Sequence, residues 1–192
     1  MADLAPKPLT LKPLTALGGH SPRALSHGAL HLAENPGLAL ASLALRRGTS
    51  APRPFGLTLP GPGHWVAEGA VSALWTGPDQ WLVEGQDLAD TDFAASLGAQ
   101  APGTSITEQT DGFAAFEISS SAGAAPVLAV IAKLVNIAPA RLAPGMATRT
   151  GLEHLSVFVI RRSEDRLAVL GLRSAAASVW HALESAISRV KA

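Results

Sequence analysis

Apolar and polar positions alternate in short runs along most of the chain, and three stretches break that alternation with helical spacing. The loosely alternating stretch Leu38–Arg46, closed by Arg47-Gly48, predicts a first strand. Phe55–Leu59 reads as a short extended segment that Pro60-Gly61-Pro62-Gly63 stops. Trp65–Ala67, Val71–Trp75 and Trp81–Glu84 predict further strands. Gly77-Pro78-Asp79-Gln80 separates the last two as a turn. Pro78 presets φ near about −65°, Asp79 can bond its own backbone, and Gly77 tolerates a tight conformation. Trp75 and Trp81 flank that turn and are expected to be largely buried.

Asp87–Leu97 carries apolar residues at 88, 89, 93, 94 and 97, which predicts a helix capped by Asp87 or Asp90 and stopped by Gly98. Ser105–Gln109 and Phe113–Ser119 read as strands joined in a hairpin at Asp111-Gly112. Leu128, Ile131, Ala132 and Val135 place a second helix over Ala124–Val135, with Pro126 in its first turn. Residues 136–145 form a loop. Met146–Thr150 leads into strands Leu155–Arg161 and Arg166–Leu172, joined by the charged turn Arg162-Ser163-Glu164-Asp165. The last helix, Ser174–Val190, shows one stripe of Ala176, Val179, Trp180, Leu183, Ile187 and Val190, with Ser174 as N-cap. Hairpin-linked strands with interspersed helices predict an α+β fold with a mostly antiparallel sheet.

Residues 1–36 differ from the rest. Pro6, Pro8, Pro13, Pro22 and Pro36, with Gly18, Gly19 and Gly28, interrupt both helix and ladder bonding, so this part reads as an extended, proline-rich N-terminal arm. Leu4, Leu9, Leu11, Leu14 and Leu17 imply that the arm packs against something. Residues 37–192 read as one α+β domain.

Composition narrows the function. The 15 basic and 15 acidic residues cancel, so no charge footprint favours nucleic acid or an anionic membrane. Charged residues make up 16% of the chain, against about 25% in ordinary soluble domains, which leaves weakly polar surface for another protein to cover. The absence of cysteine excludes disulfides, thiolate metal sites and a cysteine nucleophile. No apolar run approaches the roughly 20 residues that span a bilayer, and the N-terminus lacks the basic and apolar regions of a secretory signal. A cytoplasmic location is expected.

Candidate chemical groups are scattered. His27 and His31 lie four apart and would share a helical face, but two histidines do not make a metal site. Glu153 and His154 are adjacent, so on a strand they face opposite ways. Asp79 and Asp111 are explained by their turns. Ser119-Ser120-Ser121 precedes a helix and reads as a cap, and His181 falls off the apolar stripe of the last helix. Arg149 with Thr150 offers an anion contact, for which a structural hydrogen bond or interface ion pair is the plainer reading. Trp65, Trp75, Trp81 and Trp180 read first as core. No residue is assigned a catalytic, cofactor-binding or metal-binding role.

Several segments, taken in order, nevertheless form a series. They are Phe55-Gly56-Leu57 with Leu59-Pro60, Trp75-Thr76-Gly77-Pro78-Asp79-Gln80-Trp81-Leu82-Val83, Thr110-Asp111-Gly112, Val127-Leu128-Ala129, Pro144–Thr150 and Arg173-Ser174-Ala175-Ala176. From about residue 38 to 190 this series resembles the gamma subunit of heterotetrameric sarcosine oxidase. The resemblance implies a fold similar to the folate-binding domain of aminomethyltransferases, the glycine-cleavage T-protein group. It implies assembly with alpha, beta and delta subunits that carry FAD, FMN, NAD and zinc. That complex oxidatively demethylates sarcosine to glycine, giving hydrogen peroxide with formaldehyde or 5,10-methylenetetrahydrofolate. The chain lacks the Asn-x-x-Gly-Gly segment and paired aspartates that carry the aminomethyltransferase carboxylate, and Ser119-Ser120-Ser121 stands where the gamma subunits usually have Ser-Gly-Pro. The expected role is therefore a non-catalytic structural subunit. The alternative is a folate- or pteridine-binding module in which Trp65, Trp75 and Trp81 stack a pterin and Glu84 takes its amino group.

Overall fold

Strand alternation is carried into two antiparallel sheets packed face to face. The computed structural model describes residues 13–190, so Leu4, Leu9 and Leu11 lie outside the described residues. Among the described residues there are eleven strands: β1 Ala24–His27, β2 Leu30–Glu34, β3 Ala39–Leu45, β4 Trp65–Glu68, β5 Val71–Gly77, β6 Gln80–Gly85, β7 Thr104–Glu108, β8 Phe113–Ser120, β9 Ala147–Leu152, β10 Leu155–Arg161 and β11 Arg166–Leu172. Three helices accompany them, α1 Phe93–Gln100, α2 Ala124–Leu134 and α3 Ala176–Ser188. One sheet has six strands in the order β1-β2-β8-β11-β10-β9, and the other has five in the order β4-β5-β6-β3-β7. The α+β class with antiparallel sheets is as the sequence predicts.

Each strand shows a period of two, and this sorts its residues between two layers. From the six-stranded sheet, Phe116, Ile118, Val157, Val159, Leu167 and Val169 face α2 and α3, where Trp180 is buried edge-on against Phe116. From the five-stranded sheet, Ala39, Ala41, Leu43, Ala73, Trp81 and Val83 face Phe93 and Leu97 of α1. The alternate residues meet between the sheets: Leu38, Leu40, Leu74 and Leu82 from one side, Ala115, Ile160, Ala168 and Leu170 from the other. Polar residues with the same parity are drawn into that interior.

Several expectations need correction. Residues 24–34 are not arm but a hairpin, β1–β2, whose second strand pairs with β8 (Leu32 opposite Ile118). Gly28 at φ 55° turns it, and the buried alternation of Leu30 and Leu32 gives it a core-facing side that proline density elsewhere in the segment masks. His27 and His31 therefore sit on strands, not on a helical face. Asp111-Gly112 does not close a hairpin either. A 3-10 turn over Thr110–Gly112 carries the chain from β7 in one sheet to β8 in the other. Phe55 belongs to a 3-10 turn, Pro54–Gly56.

Helix α1 starts later than expected. Asp92, not Asp87 or Asp90, caps it by accepting from the Ala95 N–H at 2.9 Å, and Gly98 lies inside it. Neither Ser174 nor Ser119-Ser120-Ser121 makes a side-chain cap. Residues 173–175 form a 3-10 turn before α3, and Gly123 at φ 77° precedes α2 while the Ser120 hydroxyl accepts from the Ala122 N–H at 3.1 Å. The Pro78-Asp79 turn holds, with Gly77 opposite Gln80 and Asp79 taking φ 55°.

Candidate functional site

Two carboxylates stand alone in otherwise apolar strands, Glu84 in Gln80–Gly85 and Glu117 in Phe113–Ser120. Strand parity turns both toward the space between the sheets. Glu84 shares its face with Leu82 and lies opposite Ser72 of β5, while Glu117 shares its face with Ala115. Trp65 of β4 joins them by the same rule. A carboxylate buried there must find donors.

Arg162 supplies most of them. This residue follows β10 directly and folds inward from what reads in sequence as a solvated charged turn. Its Nη1 donates to Glu84 Oε2 at 2.9 Å and its Nη2 to Oε1 at 3.3 Å. Its Nε donates to the two oxygens of Glu117 at 3.1 and 3.2 Å. The guanidinium also lies over the Trp65 ring, 5.2 Å from the centroid. Glu84 Oε2 further accepts from the Trp65 indole N–H at 2.9 Å and from the Ser72 hydroxyl at 2.5 Å.

The electrostatics follow from one cation between two anions. Burial works against the charged form of Arg162, but Glu84 and Glu117 outweigh it and raise its pKa. Glu117 goes the other way for a carboxylate. Burial raises its pKa, Glu84's charge adds to that, and Arg162 only partly opposes them. Glu84 is fully buried, whereas the Glu117 side chain keeps 29% of its exposure. Glu117 is thus the member of the cluster that faces outward, into a cleft of about 580 Å³ lined also by Trp65, Gln86, Arg162 and Arg166.

The arrangement decides what each group can do. Glu84 has both oxygens bonded and no exposure, so it holds the two sheets together and lies out of reach of a ligand amino group. Glu117 and the outer face of the Trp65–Arg162 stack are the groups that a molecule in the cleft would meet. Arg161, the neighbour of Arg162, faces the opposite way. It is 1% exposed, its Nη2 donates to the Glu164 carbonyl, and its Nε and Nη1 have no acceptor among the described residues.

The sequence candidates are dispersed around this cluster. Trp65 joins it, Trp81 is 7% exposed with its N–H donated to the Pro60 carbonyl at 2.7 Å, Trp75 is half-buried, and Trp180 is core. The three indoles near the turn do not converge on one pocket. His31 Nδ1 lies 3.0 Å from the Ser26 hydroxyl, and His27 Nε2 lies 3.3 Å from the Val190 carbonyl. Glu153 and His154 form the exposed turn between β9 and β10, and His181 is exposed on α3. Arg149 donates from Nε to the Ser156 hydroxyl at 3.0 Å. Asp111 is exposed and lies 3.8 Å from Arg173. Among the described residues no three His, Asp or Glu side chains gather as a metal site would require, and no helix is long and apolar enough to cross a membrane. Glu117 and Arg162 went unnoticed in the sequence, although a single carboxylate inside an apolar strand is a readable sign of a buried ion pair.

Comparison with solved structures places this architecture among known folds. A chain of the heterotetrameric sarcosine oxidase from Corynebacterium sp. U-96, solved in complex with pyrrole 2-carboxylate, superposes with a TM-score of 0.70 at 18% identity, over 88% of this chain and 89% of that one. The glycine cleavage system aminomethyltransferase T from Bartonella henselae superposes with a TM-score of 0.53 at 12% identity, over 78% of this chain and 44% of that one. The chain thus shares their fold. No family model matches the sequence, and no curated protein matches it.

Proposed function

We propose that this chain is a non-catalytic structural subunit of a sarcosine-demethylating oxidase, filling the gamma position beside alpha, beta and delta partners. The observation that carries the reading is reciprocal coverage. The superposition with the sarcosine oxidase chain takes in nearly the whole of both molecules, whereas the aminomethyltransferase is matched over less than half its length. A subunit-sized match of this kind fits a chain that is itself one subunit. The interior agrees, because the best-placed carboxylate, Glu84, is consumed by Arg162, Trp65 and Ser72 in joining the sheets. In this reading FAD, FMN, NAD and zinc sit on the partner subunits, the assembly is cytoplasmic, and the complex yields glycine, hydrogen peroxide and either formaldehyde or 5,10-methylenetetrahydrofolate.

The test is purification of the tagged chain from its host. Stoichiometric flavin-bearing partners with sarcosine-dependent peroxide production are expected, and a chain that emerges alone overturns the reading. A pteridine-binding role has one observation in its favour, the cleft where Glu117 and the Trp65–Arg162 stack are accessible. Titration of the isolated chain with tetrahydrofolate separates the two. Saturable binding lost in Glu117→Gln supports the binding module, and no binding supports the structural subunit.

A further inference from the structure

A second cleft, of about 530 Å³, opens where the end of β5 approaches β9. Trp75, Met146 and Phe158 give it an apolar floor, each half-buried, and Arg141 and Arg149 stand exposed at its rim. Among the described residues no carboxylate lines it. Neither arginine takes part in an ion pair among the described residues. Arg149 is held in place all the same. It pairs across the ladder with Phe158, its guanidinium lies 5.8 Å from that ring's centroid, and its Nε is occupied by Ser156. Neither Nη group has an acceptor among the described residues, so both can donate outward.

The neighbouring backbone is open too. β9 ends the six-stranded sheet. Ala147 bonds to the Gly63 carbonyl, and beyond it the outer edge of the strand bonds to no other backbone among the described residues. An open edge presents unpaired N–H and C=O groups at strand spacing, which is a template for one more strand.

We propose that the β9 edge and this cleft receive an extended acidic segment of a partner protein. Its backbone pairs with β9, its carboxylates meet Arg141 and Arg149, and one apolar side chain lodges among Trp75, Met146 and Phe158. Charge decides the class of occupant. Two cations with no anion beside them select a carboxylate-bearing chain, and planar guanidiniums suit bidentate carboxylate contacts. The inference rests on the subunit reading and names a surface through which that assembly is made.

The test uses the full chain and a dye-labelled ten-residue peptide alternating Glu with Val, followed by fluorescence anisotropy. Counterparts carry Gln or Lys in place of Glu, and benzoate serves as a small competing carboxylate. The Glu peptide is expected to bind at least tenfold more tightly than the Gln peptide. The Arg141→Glu/Arg149→Glu variant should lose it and gain the Lys peptide, with the single variants intermediate and all melting curves unchanged. Equal binding of the Glu and Gln peptides overturns the proposal, as does retention of the Glu peptide by the doubly reversed variant. Displacement of the peptide by benzoate at matching concentrations also overturns it, in favour of a small-molecule pocket. Co-expression then separates the two readings. If wild type and variant assemble equally with a flavoprotein, the surface is wrong and the subunit reading stands. If wild type assembles with none, the subunit reading falls and the peptide result alone decides the surface.

Discussion

Arg162 reaches Glu84 at 2.9 Å across 78 positions of sequence and from one sheet to the other. The same guanidinium holds Glu117 at 3.0 Å, so a single side chain binds a carboxylate from each of the two sheets. Arg162→Ala leaves Glu84 fully buried beside the Trp65 and Ser72 donors but without its counter-charge. Removing one partner of a buried pair costs about 3–5 kcal/mol. Urea unfolding should show a loss of this size. Arg162→Lys should recover little of it, because a single ammonium cannot reproduce paired bonds to two carboxylates.

Arg161 should behave in the opposite way. Its guanidinium is as deeply buried, yet two of its three nitrogens lack an acceptor among the described residues, and burial lowers its pKa. Arg161→Met keeps the packing volume and removes the desolvated charge. The expected change in unfolding free energy is between neutral and a gain of about 1–4 kcal/mol. A loss comparable to that of Arg162→Ala would show that Arg161 is fully bonded.

Glu117 gives a pH signature. Its pKa is raised from the ordinary 4.5, chiefly by burial, so the folded chain holds that proton more firmly than the unfolded chain. The stability tied to this group is fully present below the unfolded value and is lost as pH rises through the folded one. Glu117→Gln cannot ionise and lacks that decline. The unfolding free energy of the variant, relative to wild type, should therefore improve steadily as pH rises above the ordinary carboxylate value of 4.5. A difference that is flat with pH, or that grows the other way, would show that Arg162 dominates at Glu117.

The two tryptophans beside the Pro78-Asp79 turn should separate. Trp81 is buried against α1 and donates to Pro60, so Trp81→Ala should cost about 3–5 kcal/mol. Trp81→Phe isolates the buried hydrogen bond at about 1–3 kcal/mol, the cost of an acceptor left unpaired. Trp75 is only half-buried and its alanine variant should cost clearly less. Equal losses in denaturant melts would contradict the difference in their packing.

What the sequence revealed and what it hid follow from the range of the forces involved. β10 and β11 and the stripe of α3 were readable because an alternation or a helical face is a local pattern. The Asp111-Gly112 turn misleads because a turn residue reports a bend and not where the next strand goes. There β7 pairs with β3, whereas β8 pairs with β2 and β11. Prolines before and after β1–β2 obscure that short hairpin within residues 1–36. The candidate site depended on Glu84, Glu117 and Arg162, which are far apart in sequence; the two carboxylates share only the parity of their strands, and Arg162 lies just past the end of β10. Their meeting is set by how the sheets stack, and no local pattern encodes that.

The order in which strands join the two sheets also has a consequence in time. β2 pairs with β8, Glu34 opposite Phe116, and every strand of the five-stranded sheet lies between them in the chain. β4, β5 and β6 are successive hairpin partners and can zip up locally. The six-stranded sheet can close only after that whole insert has been drawn into a loop, and closures between distant segments are slow. Refolding should therefore protect the amides of β5 and β6 first and those of β2 and β8 last, an order that pulse-labelling hydrogen exchange reads directly. During that interval the apolar side of β8 has no β2 beside it, and the half-made sheet is the species most exposed to pairing with another chain.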